Sequence, residues 1–145
     1  MATIIKPLGL SLGPMLSAIT RPMKAILKQE EIPYSIEHLV LLKITRDCKD
    51  SVVQQDLAEK MGKDKSVILR IVDILEKDGL LRRIVNPNDR RRNILEVTYL
   101  GNQFINRFQE IEMQVSKELL KNLTDEEVEH FFRIVEKIKT NAENM

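Results

Sequence analysis

The sequence predicts a mainly α-helical fold with one small antiparallel β-hairpin. Apolar residues recur every three or four positions through much of the 145-residue chain, which places them on one face of successive helices. Between residues 81 and 97, two short alternating runs instead surround a turn-forming segment, Asn-Pro-Asn-Asp, at 86–89. Five of the chain's ten arginines lie between Gly79 and Asn93, with Asp89 as the one acidic residue there, so the hairpin is strongly basic.

A formal net charge of only +1 conceals a basic centre. Residues 60–92 hold ten basic and five acidic side chains, net +5, whereas residues 103–145 hold six and nine, net −3. Arginine suits bidentate contacts with phosphates and base edges, and a turn projects it beyond the protein body. The hairpin is therefore a candidate nucleic-acid contact. The alternative is a solvated surface run, because most charge runs face solvent.

Several classes of protein are disfavoured by what the sequence contains. The single cysteine, Cys48, rules out an internal disulfide framework and fits a reducing cytosol. No apolar run approaches membrane-spanning length and no signal peptide is evident, so we expect a cytoplasmic protein without membrane contact. His38, His130 and Cys48 are scattered, without the spacing of metal ligands or a catalytic motif. We expect neither an enzyme nor a bound metal or cofactor.

The first third of the chain predicts two helices. Residues 8–31 have helical spacing, but Pro22 lacks an N–H and crowds the preceding turn, so we expect a bent or broken helix, whereas Pro14 fits a first turn. Ser35 is expected to cap a second helix over 36–46. Its core-facing residues are predicted to be Leu39, Leu42 and either Val40 or Leu41. Residues 48–51 then form a connection.

The centre predicts a helix-turn-helix, with helices from Gln54 to Met61 and from Lys65 to Lys77 joined at Gly62. Asp64 is expected to cap the second helix with its side chain, and Gly79 to end it in a left-handed conformation. The predicted apolar stripe of this second helix is Ile68, Ile71, Val72 and Leu75. Its opposite face carries Ser66, Arg70 and Asp73.

The last third predicts two long helices. Thr98 is expected to cap a helix from 99 to about 122, and Thr124 with Glu127 forms a capping box that opens a last helix to about Thr140. The predicted stripes are Leu100, Phe104, Phe108, Ile111, Val115 and Leu119, and then Val128, Phe131, Phe132, Val135 and Ile138. Helices this long cannot bury such stripes against a small domain, so we expect a homodimer; the alternative is a monomeric helical hairpin folded on itself.

The run from 57 to 98 resembles the winged helix-turn-helix core of the MarR family of bacterial transcription regulators. The most specific matches are Asp-Lys-Ser at 64–66 with Arg70, Leu-Glu-Lys-Asp-Gly-Leu at 75–80, and Asn-Pro-Asn-Asp-Arg-Arg at 86–91. The resemblance implies one domain over 1–145. Its parts are an N-terminal dimerisation region at 8–34, a DNA-binding core at 35–98 and C-terminal dimerisation helices at 99–145. It also implies a third short strand at 52–53.

The family's function implies a homodimeric regulator of double-stranded DNA, which we expect to be a repressor. Helix 65–77 would enter the major groove and the wing at 86–93 the minor groove of a pseudo-palindromic operator. Asp89 would orient Arg91 for the minor groove. The candidate DNA-binding residues are Lys63, Lys65, Ser66, Val67, Leu69, Arg70, Asp89, Arg90, Arg91 and Arg92. For Arg70 the alternative is a salt bridge to Glu76 or Asp73.

Val67 and Leu69 depart from the family pattern, in which these positions commonly carry hydroxyl groups. They either meet thymine methyl groups or shift recognition to DNA shape. They also suit a protein contact, so the rival function is a winged-helix protein-interaction module without specific DNA binding. The basic turn at 89–92 argues against that rival.

The family often releases DNA when a small apolar anion enters a crevice beside the dimer helices, or when a cysteine oxidises. The candidate effector-binding residues are Met15, Ile19, Tyr34, His38 and Leu42, although an apolar helix junction is more often plain core. Oxidative sensing by Cys48 would need a lowered pKa, for which Arg46 and Lys49 are near in sequence, and the chain has no resolving cysteine.

Overall fold

A computed structural model describes residues 4–48 and 52–145, so that residues 49–51, including Lys49 and most of the predicted 48–51 connection, lie outside the described residues. The described part contains six helices and three strands. In chain order they are α1 Leu8–Gln29, α2 Ile36–Asp47, β1 Val52–Val53, α3 Gln54–Met61, α4 Lys65–Lys77, β2 Leu81–Val85, β3 Asn93–Val97, α5 Tyr99–Leu120 and α6 Asp125–Glu143. The mainly α-helical fold with a small antiparallel sheet is confirmed.

The two ends of α4 differ in how closely they follow the sequence prediction. At the C-terminal end, Gly79 has a φ of 79°, and the Leu80 N–H donates to the Leu75 carbonyl at 2.8 Å, which is the Schellman arrangement that a left-handed glycine permits. At the N-terminal end the predicted side-chain cap is wrong. Asp64 occupies the cap position, but its backbone carbonyl accepts the Val67 N–H at 3.0 Å, so that donor is satisfied without the carboxylate.

The sheet has the strand order β1-β3-β2 with both pairings antiparallel. Leu81 pairs with Val97 at the base of the hairpin, and Val85 pairs with Asn93 at the start of the turn. The predicted third strand at 52–53 is confirmed, because Val52 pairs with Leu95. Leu81 and Leu95 are buried, whereas the tip of the hairpin projects away from the core.

One continuous core joins the helices to the sheet. The predicted stripe of α4 is buried in full, and α2 contributes Leu39, Leu41 and Leu42, so Leu41 rather than Val40 completes its inward face. Helix α5 crosses α1 and α2. The largest fully buried side chains are Phe108, Leu39, Leu41, Leu42, Leu57, Ile68, Leu75, Leu80, Leu81, Ile105, Ile111 and Val72.

The first helix was expected to be bent or broken, and of these the break is wrong, because α1 runs unbroken from Leu8 to Gln29 through both Pro14 and Pro22. Pro14 also lies beyond the first turn. A proline removes one N–H from the helical ladder, while the neighbouring bonds remain. Met23 and Leu27 are buried directly after Pro22 and hold the second half of the helix in place.

The two C-terminal helices begin as predicted and then behave differently. Thr98 accepts the Gly101 N–H at 3.1 Å, and the capping box of Thr124 and Glu127 is complete. On α5 the predicted stripe is partly wrong, because Leu100 and Leu119 are exposed while Gly101 and Ile105 are buried. A stripe displaced by one residue has the same helical period, so spacing alone could not separate the two. On α6 no residue is buried.

Within residues 4–48 and 52–145, no helix combines the length and the apolar character that crossing a bilayer requires.

Candidate nucleic-acid interface

The outward face of α4 is polar at its start and apolar one turn later. Lys65, Ser66 and Arg70 are exposed, and Leu69 is 46% exposed. Val67 instead packs, half-buried, against the core. Of the two residues that depart from the family pattern, Leu69 therefore presents the larger apolar surface to a partner.

Arg70 makes none of the ion pairs that the alternative interpretation required. Among residues 4–48 and 52–145, no carboxylate lies within 4.0 Å of its guanidinium. Asp73 and Glu76, the two acids expected to compete for it, both bind Arg83 instead. The Arg70 side chain is exposed in the second turn of α4 and is available to a phosphate or a guanine edge.

Lys63 lies in the turn between α3 and α4, and its ammonium is 2.9 Å from a carboxylate oxygen of Glu37 on α2. This hydrogen bond lowers the pKa of Glu37. Both side chains are well exposed, so the pair is worth less than about 1 kcal/mol. Such a weak pair leaves Lys63 able to exchange its carboxylate for a phosphate.

The turn of the hairpin is organised by side chains that bind the backbone. The Asn88 N–H donates to the side-chain oxygen of Asn86 at 3.0 Å, and the Arg91 N–H donates to Asp89 at 3.1 Å. The same Asp89 oxygen lies 3.5 Å from Nε of Arg91. The Arg91 side chain is nevertheless 93% exposed, so Asp89 contacts Nε while the rest of the guanidinium group extends into solvent.

The other two arginines of the turn differ in their partners. Arg90 is exposed, and no ion pair with it occurs among the described residues. Arg92 donates to Asp56 of α3 at 2.9 Å, which ties the returning side of the turn to the first helix of the helix-turn-helix. The side-chain oxygen of Asp56 is itself half-exposed, so this link is a surface ion pair.

Arg83 is a residue whose role the sequence analysis missed. Its guanidinium donates to Gln54 of α3 at 2.8 Å, to Glu76 of α4 at 2.7 Å and to Asp73 of α4 at 2.5 Å. Its backbone N–H also donates to Glu76 at 3.0 Å. Burial acts to lower the pKa of Arg83, but the hydrogen bonds to Asp73 and Glu76 outweigh it and raise that pKa above its ordinary value. The signal was present in the sequence, because strand alternation puts Arg83 on the inward face with Leu81.

The five predicted effector-binding residues lie in different surroundings. Tyr34 and His38 are neighbours, with ring centroids 6.3 Å apart, and Leu42 is completely buried in the core. Met15 and Ile19 are half-buried on α1. The open groove beside Tyr34, about 360 Å³, includes none of the other four and is lined by Lys24, Leu27, Lys28, Ile32, Pro33, Tyr34, Ser35 and Ile36.

Tyr34 connects three parts of the molecule. Its ring packs edge-on against Phe104 of α5, with centroids 5.1 Å apart, and its hydroxyl donates to Asp78 at 3.1 Å, directly after α4. Burial, followed by this hydrogen bond, raises the pKa of Tyr34. Any molecule that displaced Tyr34 would therefore disturb both a terminal helix and the end of α4.

Cys48 is half-buried at the end of α2, and its sulfur accepts from Lys60 at 3.6 Å. Arg46, expected nearby, instead binds Asn106 and Gln109 of α5. Cys48 borders an open groove of about 420 Å³ that also contains Glu112, whose pKa is raised by burial. In the described ranges, no three His, Cys, Asp or Glu side chains group as metal ligands.

The fold and these side chains define a winged helix-turn-helix protein, with α3 and α4 as the helical pair and the β2–β3 hairpin as the wing. The family model for the MarR family matches residues 37–92. The HTH-type transcriptional regulator PapX of Escherichia coli is 32% identical over 108 residues, which are 72% of this chain. The match covers 66% of PapX, just under two thirds of its length.

Solved structures match along almost the whole chain. A crystal structure of MarR is 27% identical, with a TM-score of 0.77 over 100% of this chain and 96% of that one. The crystal structure of the Staphylococcus aureus MepR–DNA complex is 20% identical, with a TM-score of 0.79 over 94% of this chain and 99% of that one, which shows a shared fold. The chain belongs to the MarR family.

Proposed function

We propose that this protein is a sequence-specific transcriptional regulator that binds double-stranded DNA as a homodimer and acts as a repressor. Helix α4 enters the major groove, and the wing at 86–93 enters the adjacent minor groove. The curated relative PapX carries the name of a transcriptional regulator, and MepR, which has the same fold, was crystallised with DNA. Both support the proposal.

The observation that carries the proposal is the geometry of Asp89 and Arg91. A narrow minor groove concentrates negative potential and attracts arginine. The Arg91 side chain is 93% exposed, and Asp89 already contacts both its backbone N–H and its Nε. Arg91 therefore loses less conformational freedom when it enters the groove. A wing without a nucleic-acid partner has no evident need for this arrangement.

Base contacts come from α4 and phosphate contacts from the residues around it. Arg70 is suited to a bidentate guanine contact, Leu69 to a thymine methyl, and Ser66 to a phosphate or a base edge. Lys63, Lys65, Arg90 and Arg92 are suited to phosphates, and Val67 contributes only the part of its side chain that the core leaves open. If each subunit neutralises three or four phosphates, log K falls with log salt with a slope of about −0.9 per phosphate.

The apolar surface of the terminal helices supports a homodimer. Phe131 and Phe132 stack edge to face on α6, with centroids 5.4 Å apart, yet both are exposed in the single chain. Helix α1 adds exposed Leu8, Leu10 and Leu16. A two-fold dimer brings two copies of α4 to one face of the duplex, hence a pseudo-palindromic operator with half-sites about one helical turn apart.

Release by a small apolar anion is the regulation that the contacts of Tyr34 support best. The groove beside Tyr34 carries Lys24 and Lys28, and Tyr34 itself touches Phe104 and Asp78. A ligand that moved Tyr34 would act on α5 and on the end of α4 together. His38 already neighbours Tyr34 and would border this ligand, whereas Met15 and Ile19 would border it only if the dimer brought α1 closer.

Selection of bound duplexes from a random-sequence pool, followed by sequencing, tests the proposal. The wild-type protein should enrich an inverted repeat, and Arg91→Ala should weaken binding to it by about tenfold or more, a loss of at least about 1.4 kcal/mol. Arg82→Ala is the matched control, because Arg82 lies in the same hairpin but pairs with Glu96 across the strands. Absence of enrichment, with weak binding indifferent to Arg91, would favour the protein-interaction module, in which exposed Leu69 contacts a partner protein.

A further inference from the structure

The hydrogen bonds of Arg83 converge on both helices of the helix-turn-helix. We call Arg83 together with Gln54, Asp73 and Glu76 the Arg83 clamp. The side chain of Arg83 is 18% exposed and uses all three of its guanidinium nitrogens within the clamp. A planar guanidinium fixes direction as well as distance, so it sets the angle between the strand that carries it and the helices that accept from it.

The clamp lies where the hairpin leaves the protein body. Leu81 is fully buried, whereas Ile84 and Val85, the next two residues after Arg83, are 40% and 60% exposed. Arg83 is therefore the last residue of β2 whose side chain is mostly buried. The opposite side of the hairpin is held to α3 by the exposed Arg92–Asp56 pair, which is worth little. A small rotation at Arg83 would be magnified at Arg91, eight residues further along.

The clamp also neutralises negative charge on α4. Asp73 and Glu76 are carboxylates on a helix that the proposed function places in the major groove, beside two phosphate backbones. Each is paired with Arg83, at 2.5 Å and 2.7 Å. Arg83 thus compensates negative charge on α4 while it orients the wing, without extending to the DNA itself.

We propose that Arg83 is a positioning residue that holds the wing at the angle at which Arg91 and the exposed face of α4 reach DNA together. This inference rests on the proposed function, in which α4 and the wing bind adjacent grooves. It predicts that the contribution of Arg91 to operator binding depends on an intact Arg83. A purely stabilising residue would leave that contribution unchanged in the protein that remains folded.

A double-mutant cycle on full-length protein, with the selected inverted repeat as the DNA, measures this dependence. Arg91→Ala is combined with Arg83→Met, and binding is titrated at several salt concentrations. Arg82→Met is the matched control, because it removes the same charge from the neighbouring position of the same strand. Arg83→Lys keeps the charge but loses the planar guanidinium group that donates in several fixed directions. This variant replaces Arg83→Met in the cycle if the methionine variant fails to fold.

Arg83→Met should weaken operator binding by about tenfold or more, and the loss caused by Arg91→Ala should shrink from about tenfold to less than about threefold in that background. The salt slope should fall as well, because the phosphate contacts of the wing are lost. With Arg82→Met the full effect of Arg91→Ala should remain.

An equal loss from Arg91→Ala with and without Arg83 would overturn the inference and leave the proposed function intact. No loss from Arg91→Ala in the wild-type background would instead overturn the proposed role of the wing. The two failures are therefore distinguishable.

Discussion

Helices α4 and α6 are both amphipathic, but only α4 buries its apolar face within its own chain. The stripe of α4, Ile68, Ile71, Val72 and Leu75, is buried against the core, and its polar face is left for a partner. On α6 the stripe itself is exposed, with Phe132 at 54%, and no residue of the helix is buried. The same sequence pattern has led to opposite outcomes.

The difference lies in what surrounds each helix. Helix α4 packs against α3 and β2, which are its neighbours in sequence. Short connections therefore place these elements against its apolar face. Helix α6 follows α5 at the end of the chain and makes its predicted capping box without packing its apolar face. Apolar periodicity thus indicates which face of a helix is to be buried, but it does not indicate which element or chain packs against that face.

The largest expected effect is loss of the proposed homodimer when a charge is introduced into the apolar stripe of α6. Phe132→Asp should raise the dimer dissociation constant by roughly 100-fold or more, because each of two copies would bury a carboxylate where a phenyl ring packed. Sedimentation equilibrium over a range of protein concentrations measures the constant.

Two control variants make this comparison specific. Arg133→Gln changes the charge of α6 by the same single unit on the opposite side of the helix and should leave the dimer intact. Leu75→Ala should lower the free energy of unfolding by about 2–5 kcal/mol through a cavity in the core, without affecting the dissociation constant. A wild-type protein that sediments as a monomer at every concentration would contradict the homodimer.

The fold was predictable because its signals are local. Gly62, Gly79, Ser35, Thr98 and Thr124 end or begin helices through bonds to residues three to five positions away, and all were found from the sequence. The side-chain cap of Asp64 is a local signal that failed, while other misses depend on tertiary contacts. Pro22 was expected to bend or break α1, but burial of the residues after it keeps the helix unbroken.

The candidate interface follows the same division. The Asp89–Arg91 pair is local and was expected from the resemblance, and its geometry is present. The alternative for Arg70, a salt bridge to Glu76 or Asp73, is wrong, because these two acids are neighbours of Arg70 in sequence but of Arg83 in space. No helical spacing rule connects a strand residue with the helix before it.

Two helical glycines offer a second, smaller test of covered and uncovered regions. A Cβ on Gly101 of α5 would lie 2.1 Å from the Leu80 carbonyl oxygen, whereas a Cβ on Gly9 of α1 would meet nothing within 4 Å in the single chain. Gly101→Ala should cost about 3 kcal/mol or more, because backbone must move. Gly9→Ala should stabilise the protein by about 0.5 kcal/mol through higher helix propensity.

Urea unfolding of both glycine variants, compared with wild type at one protein concentration, provides the measurement. Equal stabilities for Gly101→Ala and wild type would contradict the close approach of α5 to Leu80. A clear loss of stability in Gly9→Ala would mean that another chain approaches α1 there, and would move the boundary between the covered and uncovered regions.

The two histidines give the smallest effect. His38 is half-buried at the start of α2, while His130 is exposed on α6. Burial lowers the pKa of His38 below its ordinary value of 6.5, although Glu37 acts in the opposite direction.

As the pH falls through 6.5 the unfolded chain takes up a proton that the folded chain binds more weakly, so stability should decrease on acidification. His38→Gln should flatten the dependence of the free energy of unfolding between about pH 7.5 and 5.5. The same slope in wild type and His38→Gln would show that the start of α2 is as accessible to water as the face of α6.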